Sequence, residues 1–261
     1  MNPGAPALYL VVNMNEDVIN FNNRQSDDPA FGIVSWQRWD RPILPGTRDH
    51  LIEILRRDGV YDFGYDLTET IIPCEFVIKA ASASLLRQYA RAVAAWLNVP
   101  EVKPLIFGDE QNLFYMARPI GPVSANEIVT LGLCRVTFLV PAGYAEAVIP
   151  VTASGTGSVT ATNAGTRPCP VRITATMTAA APSLTVILAE TGEFILLNRA
   201  LNIGDTVIID TNTRTVIVNG ADARADVSFT SDWLTLPVGG FALVAETATT
   251  GLLITYRERW I

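Results

Sequence analysis

The chain has 261 residues, of which 49% are hydrophobic and 17% charged, and its formal net charge is −7. This length suits one large β domain or two domains of ~100–150 residues each. Residues 1–148 carry 12 Lys and Arg against 17 Asp and Glu, and residues 149–261 carry 7 against 9. No Lys or Arg run is present in the sequence, which argues against nucleic-acid binding through phosphates.

The N-terminal half is predicted to contain strands separated by turns. Its first residues, Met1-Asn2-Pro3-Gly4-Ala5, lack the basic region and apolar core of a signal peptide, so we expect synthesis in a cytoplasm. No apolar run reaches the ~18–20 residues of a membrane span. Asp58-Gly59 is the best short hairpin signal of this half. The strand candidates are Ala7–Met14, Ile33–Trp39, His50–Arg56, Ile71–Ala80, Asn112–Pro119 and Val136–Val140.

Four residues near the second of these strands, Trp36, Arg38, Trp39 and Arg41, are of the types that dominate protein interfaces. In a regular strand, residues three apart point to opposite faces, so Trp36 and Trp39 cannot both enter one core unless a bulge intervenes. One of them is therefore a candidate contact with a neighbouring subunit, and a well-covered surface tryptophan is the alternative.

A helix is predicted after the fourth strand. Ser82-Ala83-Ser84 offers an N-cap, and Asn98 before Val99-Pro100 ends the pattern. The apolar residues recur with the helical period and predict a core-facing stripe, which comprises Leu85, Leu86, Tyr89, Ala92, Val93, Trp96 and Leu97.

The composition changes to Ala, Thr, Gly, Ser and Pro between Ala145 and Ala181, and we place a domain boundary near Val148–Pro150. The predicted domains are residues 1–148 and residues 149–261. Ser154–Ser158 is expected to form a flexible junction or a wide hairpin. Beyond it, short strands and local turns predict a β-sandwich, with hairpins at Glu190-Thr191-Gly192, Thr211-Asn212-Thr213 and Asn219-Gly220.

Five sequence pieces of the second half occur in an order that resembles the C-terminal domain of phage distal tail proteins, called Dit. Val238, which separates Pro237 from Gly239, departs from the family pattern. Leu44 to Ile78 resembles the N-terminal domain more weakly. The five pieces are Asn163-x-Gly165, the Gly204–Asp210 strand, a strand ending in Asn219-Gly220, the Trp233–Gly239 turn and the aromatic closing strand Ile254–Ile261.

The resemblance implies a structural protein and no enzyme. Its expected fold is mainly β with one helix: a β-sandwich-like N-terminal domain carrying the helix, and a galectin-like β-sandwich. In the family the N-terminal domains form a hexameric ring that joins the tail tube to the tip. The expected partners are the major tail protein, a tail-associated lysin or tip protein, and receptor-binding proteins, in the virion tail tip. Trp36, Arg38, Trp39 and Arg41 then become candidate ring contacts.

The family ring surrounds the channel through which the genome leaves. A basic wall would bind DNA by releasing counterions and would slow its exit. Because residues 1–148 carry a net charge of −5, we expect acidic side chains to outnumber basic ones on the channel wall, and no stable nucleic-acid binding.

Catalytic and metal chemistry have little support. His50 is the only histidine, and no G-x-S-x-G turn supplies a nucleophile for it. Cys74, Cys134 and Cys169 have no CxxC spacing and are expected to be small buried hydrophobes, so neither a zinc site nor a cofactor is predicted.

Carbohydrate binding by an adhesin-like module is the alternative function, because the implied C-terminal fold resembles a galectin. The galectin His-x-Asn-x-Arg strand is absent, since residues 149–261 contain no histidine. Trp233 could stack on a sugar in that alternative, although a core position is the better interpretation.

Overall fold

The computed structural model describes residues 14–128, 130–246 and 249–261. The chain divides into two compact units, one reaching to Val148 and joined by Ile261, the other spanning Ile149–Trp260. Strands dominate the described residues, which contain one α-helix, as the predicted mainly β fold class requires. The predicted strand Ala7–Met14 lies outside the described residues except for Met14.

Unit 1 is built on one antiparallel sheet with the strand order β2-β1-β7-β8-β9-β6-β3, and β10 pairs with the start of β8. A separate two-stranded hairpin is formed by β4 and β5. The strands of unit 1 are β1 (Ile19–Phe21), β2 (Arg24–Gln25), β3 (Ile33–Trp39), β4 (Thr47–Glu53), β5 (Val60–Leu67), β6 (Thr70–Lys79), β7 (Lys103–Phe107), β8 (Leu113–Ile128), β9 (Leu131–Val140) and β10 (Ala145–Ala147).

The helix α1 (Ala83–Leu97) forms as the apolar stripe predicts. The Ser82 hydroxyl accepts a hydrogen bond from the Leu85 backbone N–H, and Asn98 caps the other end. Trp96 fixes the helix to the sheet, because its indole N–H donates to the Phe21 carbonyl at 3.0 Å. The helix therefore closes one side of the unit 1 core with residues that include Leu86, Val93, Trp96 and Leu97.

Unit 2 is a β-sandwich of two sheets, β11-β21-β13-β16-β17-β18 with β19 on β13, and β12-β20-β14-β15. One large apolar core lies between them. The strands are β11 (Val151–Gly155), β12 (Ser158–Asn163), β13 (Cys169–Met177), β14 (Leu184–Leu188), β15 (Phe194–Leu197), β16 (Thr206–Asp210), β17 (Thr215–Val218), β18 (Ala221–Asp222), β19 (Thr235–Leu236), β20 (Gly239–Ala245), β21 (Thr249–Tyr256) and β22 (Arg259–Trp260).

The predicted turns of unit 2 are confirmed, with one correction. Asn219 and Gly220 both have positive φ, 49° and 83°, and connect β17 to β18 in a two-residue hairpin. The segment Ser154–Ser158 is a tight turn at Thr156-Gly157, not a wide hairpin, because β11 and β12 pair with strands of different sheets. This turn carries the chain from one layer of the sandwich to the other.

Candidate assembly surfaces

Trp36 and Trp39 lie on the same face of β3, against the expectation from a regular strand. Trp36 pairs with Phe76 and Trp39 with Cys74, so three steps on β3 match two on β6, and the register shift marks a bulge. Trp36 is 7% exposed, and Trp39 packs partly buried against the same core. The bulge that the regular-strand argument allowed for is therefore present, and Trp36 serves the core of its own unit.

Arg41 is also engaged within unit 1. Its guanidinium contacts the Asp109 carboxylate, lies 3.0 Å from a Glu110 carboxylate oxygen and stands over the Phe107 ring at 4.9 Å. These contacts of Arg41 hold the loop after β3 against the turn after β7. The Arg38 side chain lies outside the described residues. Of the other three predicted ring contacts, Trp36 is buried, Trp39 is partly buried and Arg41 is paired within unit 1.

His50 lies exposed on the β4–β5 hairpin, beside a carboxylate and not in a cleft. Its Nε2 is 3.0 Å from Asp66 Oδ2, and an Arg48 nitrogen is 3.5 Å from the same oxygen. The hydrogen bond and charge of His50 lower the pKa of Asp66. This arrangement is a cross-strand polar cluster and offers no nucleophile to the imidazole.

The cysteines and carboxylates give no sign of metal chemistry. Cys74, Cys134 and Cys169 are buried, and desolvation raises the pKa of Cys74 to about 12. Among the described ranges, no group of three His, Cys, Asp or Glu residues could hold an ion. No helix of the described chain is long and apolar enough to cross a membrane.

The sugar-binding alternative assigns the stacking contact to Trp233. Trp233 is half-buried and packs against the sandwich core. The open groove on the β11-β21-β13 sheet has a volume of about 360 Å³. Its lining consists of hydroxyl side chains, two glycines, and the leucines Leu252 and Leu253. Sugar sites rely on aromatic faces, and the groove lining contains none.

An exposed apolar surface of unit 1 is formed by the β4–β5 hairpin, which the sequence patterns did not identify as a site. Every residue of β4 is exposed, as is every residue of β5 except Leu67. We call its apolar residues the hairpin surface: Leu51, Ile52, Ile54, Leu55, Val60, Tyr61, Phe63 and Tyr65. Surfaces of this kind mark protein contacts.

Two family profiles match the two units separately. Residues 31–140 match the phage tail protein RIFT-related domain, and residues 164–260 match the siphovirus-type tail component, C-terminal domain. No curated protein sequence matches the chain.

One of the similar solved structures shares the fold of this chain. This is the crystal structure of the phage SPP1 Dit protein, which is described as a paradigm of the hub adsorption apparatus in Gram-positive infecting phages. Its TM-score is 0.81 at 15% identity, and the match covers 94% of this chain and 99% of that chain. A chain of the phage P2 baseplate in its activated conformation with Ca has a TM-score of 0.47 at 7% identity. That match covers 94% of this chain and 98% of that chain.

Proposed function

The chain belongs to the siphovirus-type tail component family of distal tail proteins, a structural component of phage tails, and from that premise we propose that it is the hub subunit of the tail tip. Six copies form a ring through unit 1, and the ring connects the tail tube above to the tip and host-adsorption apparatus below. The subunit is made in the host cytoplasm and assembles into the virion.

The observation that carries this proposal is the extent of the fold match. The likeness to the SPP1 hub protein runs over 94% of this chain and 99% of that chain, so both units lie within the match. A protein with the same two units in the same order has the parts that a hub requires: one domain for the ring and one for lateral contacts.

The proposed partners follow from that position in the tail. The major tail protein contacts one rim of the ring, a tail-associated lysin or tip protein contacts the other, and receptor-binding proteins attach at the side. Because a closed ring joins one surface of each subunit to a different surface of the next, unit 1 needs two distinct contact surfaces. Catalysis has no part in this role.

The direct test removes the chain from the virus. A phage carrying an early stop codon in this gene is expected to yield non-infectious particles without a complete tail tip, and expression of the chain in trans restores them. Normal infectious tails in the absence of the chain would contradict the proposal.

A glycan array probed with the full chain examines the carbohydrate alternative, for which we expect no bound glycan.

A further inference from the structure

Asn219-Gly220 is the single Asn-Gly pair of the sequence, and it forms the exposed turn between β17 and β18. The backbone nitrogen after an asparagine can attack the asparagine carboxamide, and glycine leaves that nitrogen unshielded because it has no side chain. The Gly220 N–H donates no hydrogen bond to the part of the chain that the structure describes. The turn therefore brings a nucleophile, a carboxamide and solvent water together, and these are the reactants of deamidation.

The folded turn holds the Asn219 carboxamide by hydrogen bonds at both of its ends. Its Oδ1 accepts from the Thr206 N–H at 2.9 Å, and its Nδ2 donates to Asp205 Oδ1 at 2.8 Å. The Asn219 backbone N–H also donates to the Thr206 carbonyl, at 3.0 Å. The side chain is thus fixed across the hairpin to the start of β16, and it cannot rotate freely toward its own backbone.

The backbone of the turn opposes the same reaction. Asn219 and Gly220 have φ values of 49° and 83°, the left-handed pair of a two-residue hairpin. In the left-handed region ψ is about +30 to +60°, which places the nitrogen of the next residue roughly opposite Cβ across the Cα–C bond. Attack on the side chain closes a five-membered ring and requires the two atoms on the same side. The ring can therefore close only after Asn219 leaves the folded turn.

The end of the sheet that carries this turn is built to open at low cost. β18 has two residues, both exposed, and it stands last in its sheet. Edge elements with few buried contacts open locally at a small fraction of the global unfolding free energy. The turn thus alternates between a protected folded form and a reactive open form.

We propose that Asn219 is a deamidation site that the folded hairpin protects and that local opening of β17–β18 exposes. In the open turn the Gly220 nitrogen bonds to Cγ of Asn219 and gives its proton to solvent. The bond from Cγ to Nδ2 breaks, and Nδ2 leaves as ammonia. Water then opens the cyclic imide and leaves aspartate or isoaspartate at position 219. One water is consumed and one ammonia is released in the whole reaction.

The product cannot rebuild the folded turn. A carboxylate at position 219 has no N–H to donate to Asp205, so two like charges face each other across the hairpin. Isoaspartate in addition lengthens by one carbon the backbone of a turn that two residues must span. Chains that carry the modification are therefore those in which this end of unit 2 has opened, and they do not return to the original fold of the turn.

The test compares deamidation of the folded full chain with that of the chain unfolded in guanidinium, both in mildly alkaline buffer. Peptide mass spectrometry locates the site by the mass gain of about 1 Da that replacement of an amide by a carboxylate brings. Asp205→Ala removes the acceptor of the Asn219 amide, and Asp205→Asn keeps an oxygen that can accept. The matched control Asp222→Ala removes a carboxylate from the neighbouring strand and leaves both side-chain hydrogen bonds of Asn219 in place.

Asn219 is expected to deamidate at least about tenfold more slowly in the folded than in the unfolded chain, because two hydrogen bonds must break before the ring closes. Asp205→Ala is expected to raise the folded-state rate at least about threefold, while Asp205→Asn and Asp222→Ala stay within about twofold of the unchanged chain. Circular-dichroism melting checks that each variant is folded at the temperature of the assay.

Three results would overturn the inference. Equal rates in the folded and unfolded chains would show that the turn does not protect Asn219. A folded-state rate that rises no more for Asp205→Ala than for Asp222→Ala would show that the Asp205 hydrogen bond is not part of the protection. Faster reaction of a different asparagine in the unfolded chain would show that the site is wrongly assigned.

Discussion

At the scale of single residues, the Asn-x-Gly piece of the family pattern has a physical explanation. Asn163 is fully buried, and its amide nitrogen donates to the carbonyls of Arg167 and Pro237 at 2.9 and 3.1 Å. Its side-chain oxygen accepts from the Gly165 N–H. A side chain at Gly165 would place its Cβ 2.4 Å from the Arg259 carbonyl oxygen. The Asn163 side chain thus joins three segments of unit 2 by hydrogen bonds. Position 165 accepts only glycine, because any Cβ there would overlap the Arg259 carbonyl oxygen.

Asn163→Ala is expected to lower the free energy of unfolding of unit 2 by about 2–4 kcal/mol, because it removes the three hydrogen bonds of a fully buried side-chain amide. Differential scanning calorimetry of the full chain measures the change. The control Asn212→Ala, at an exposed turn, should cost less than about 0.5 kcal/mol. Equal melting temperatures of the two variants would contradict this assignment.

Trp36→Ala is expected to cost about 3–5 kcal/mol of unit 1 stability, as truncation of a buried aromatic does. Trp36 stacks obliquely on Phe76 with ring centroids 4.7 Å apart. Val34→Ala on the same strand, where Val34 is exposed, should change the melting temperature little. A Trp36→Ala chain that melts like the unchanged protein would show that Trp36 acts outside its own core.

The buried cysteines should be unreactive in the folded protein. Burial raises the pKa of Cys74 to about 12, so its thiol stays protonated, and therefore poorly nucleophilic, at pH 8. We expect a thiol-specific chromogenic reagent to label none of the three cysteines within minutes at pH 8, and all three after denaturation. Rapid labelling of the native chain would show that the core around Cys74 opens readily.

At the scale of elements, local patterns predicted the helix and the tight turns. Leu86, Val93 and Trp96 repeat with the helical period and need no distant partner to define their face. Asn219-Gly220 likewise specifies its turn from two residues. By contrast β1, β2 and β7 were not predicted, because they are short and owe their existence to long-range pairing, as between Ile19 and Phe107.

The candidate site was less predictable than the fold, for two physical reasons. The bulge that turns Trp36 and Trp39 to one face is a property of the β3–β6 pairing and has no local signature. The apolar residues of β4 and β5, Phe63 among them, follow a pattern that ordinarily indicates burial within the chain. In the structure both strands are exposed, because no element of residues 14–128, 130–246 and 249–261 covers them.

At the scale of the whole molecule, we expect residues 149–261 to fold without the rest of the chain. The two sheets of unit 2 pair among themselves and enclose their own apolar core. An isolated fragment should give an all-β circular-dichroism spectrum and a cooperative melt as a monomer. An unfolded fragment, or one that is soluble only with residues 1–148, would contradict the proposed boundary.

The charge of the chain leads to a prediction about DNA. With a net charge of −7, and 12 basic against 17 acidic residues in residues 1–148, the assembled protein should not bind duplex DNA measurably at ~0.15 M salt. Fluorescence anisotropy with a labelled duplex over a salt series measures this. Tight DNA binding that weakens steeply with added salt would contradict the proposal that the channel wall does not bind DNA.

Native mass spectrometry of the full chain, combined with negative-stain imaging of the same sample, tests the central claim most directly. A ring-forming hub predicts one dominant species of six copies of the 28.3 kDa chain, seen as a ring with an open centre and peripheral lobes. A monomer at every concentration, or filaments of indefinite length, would contradict it.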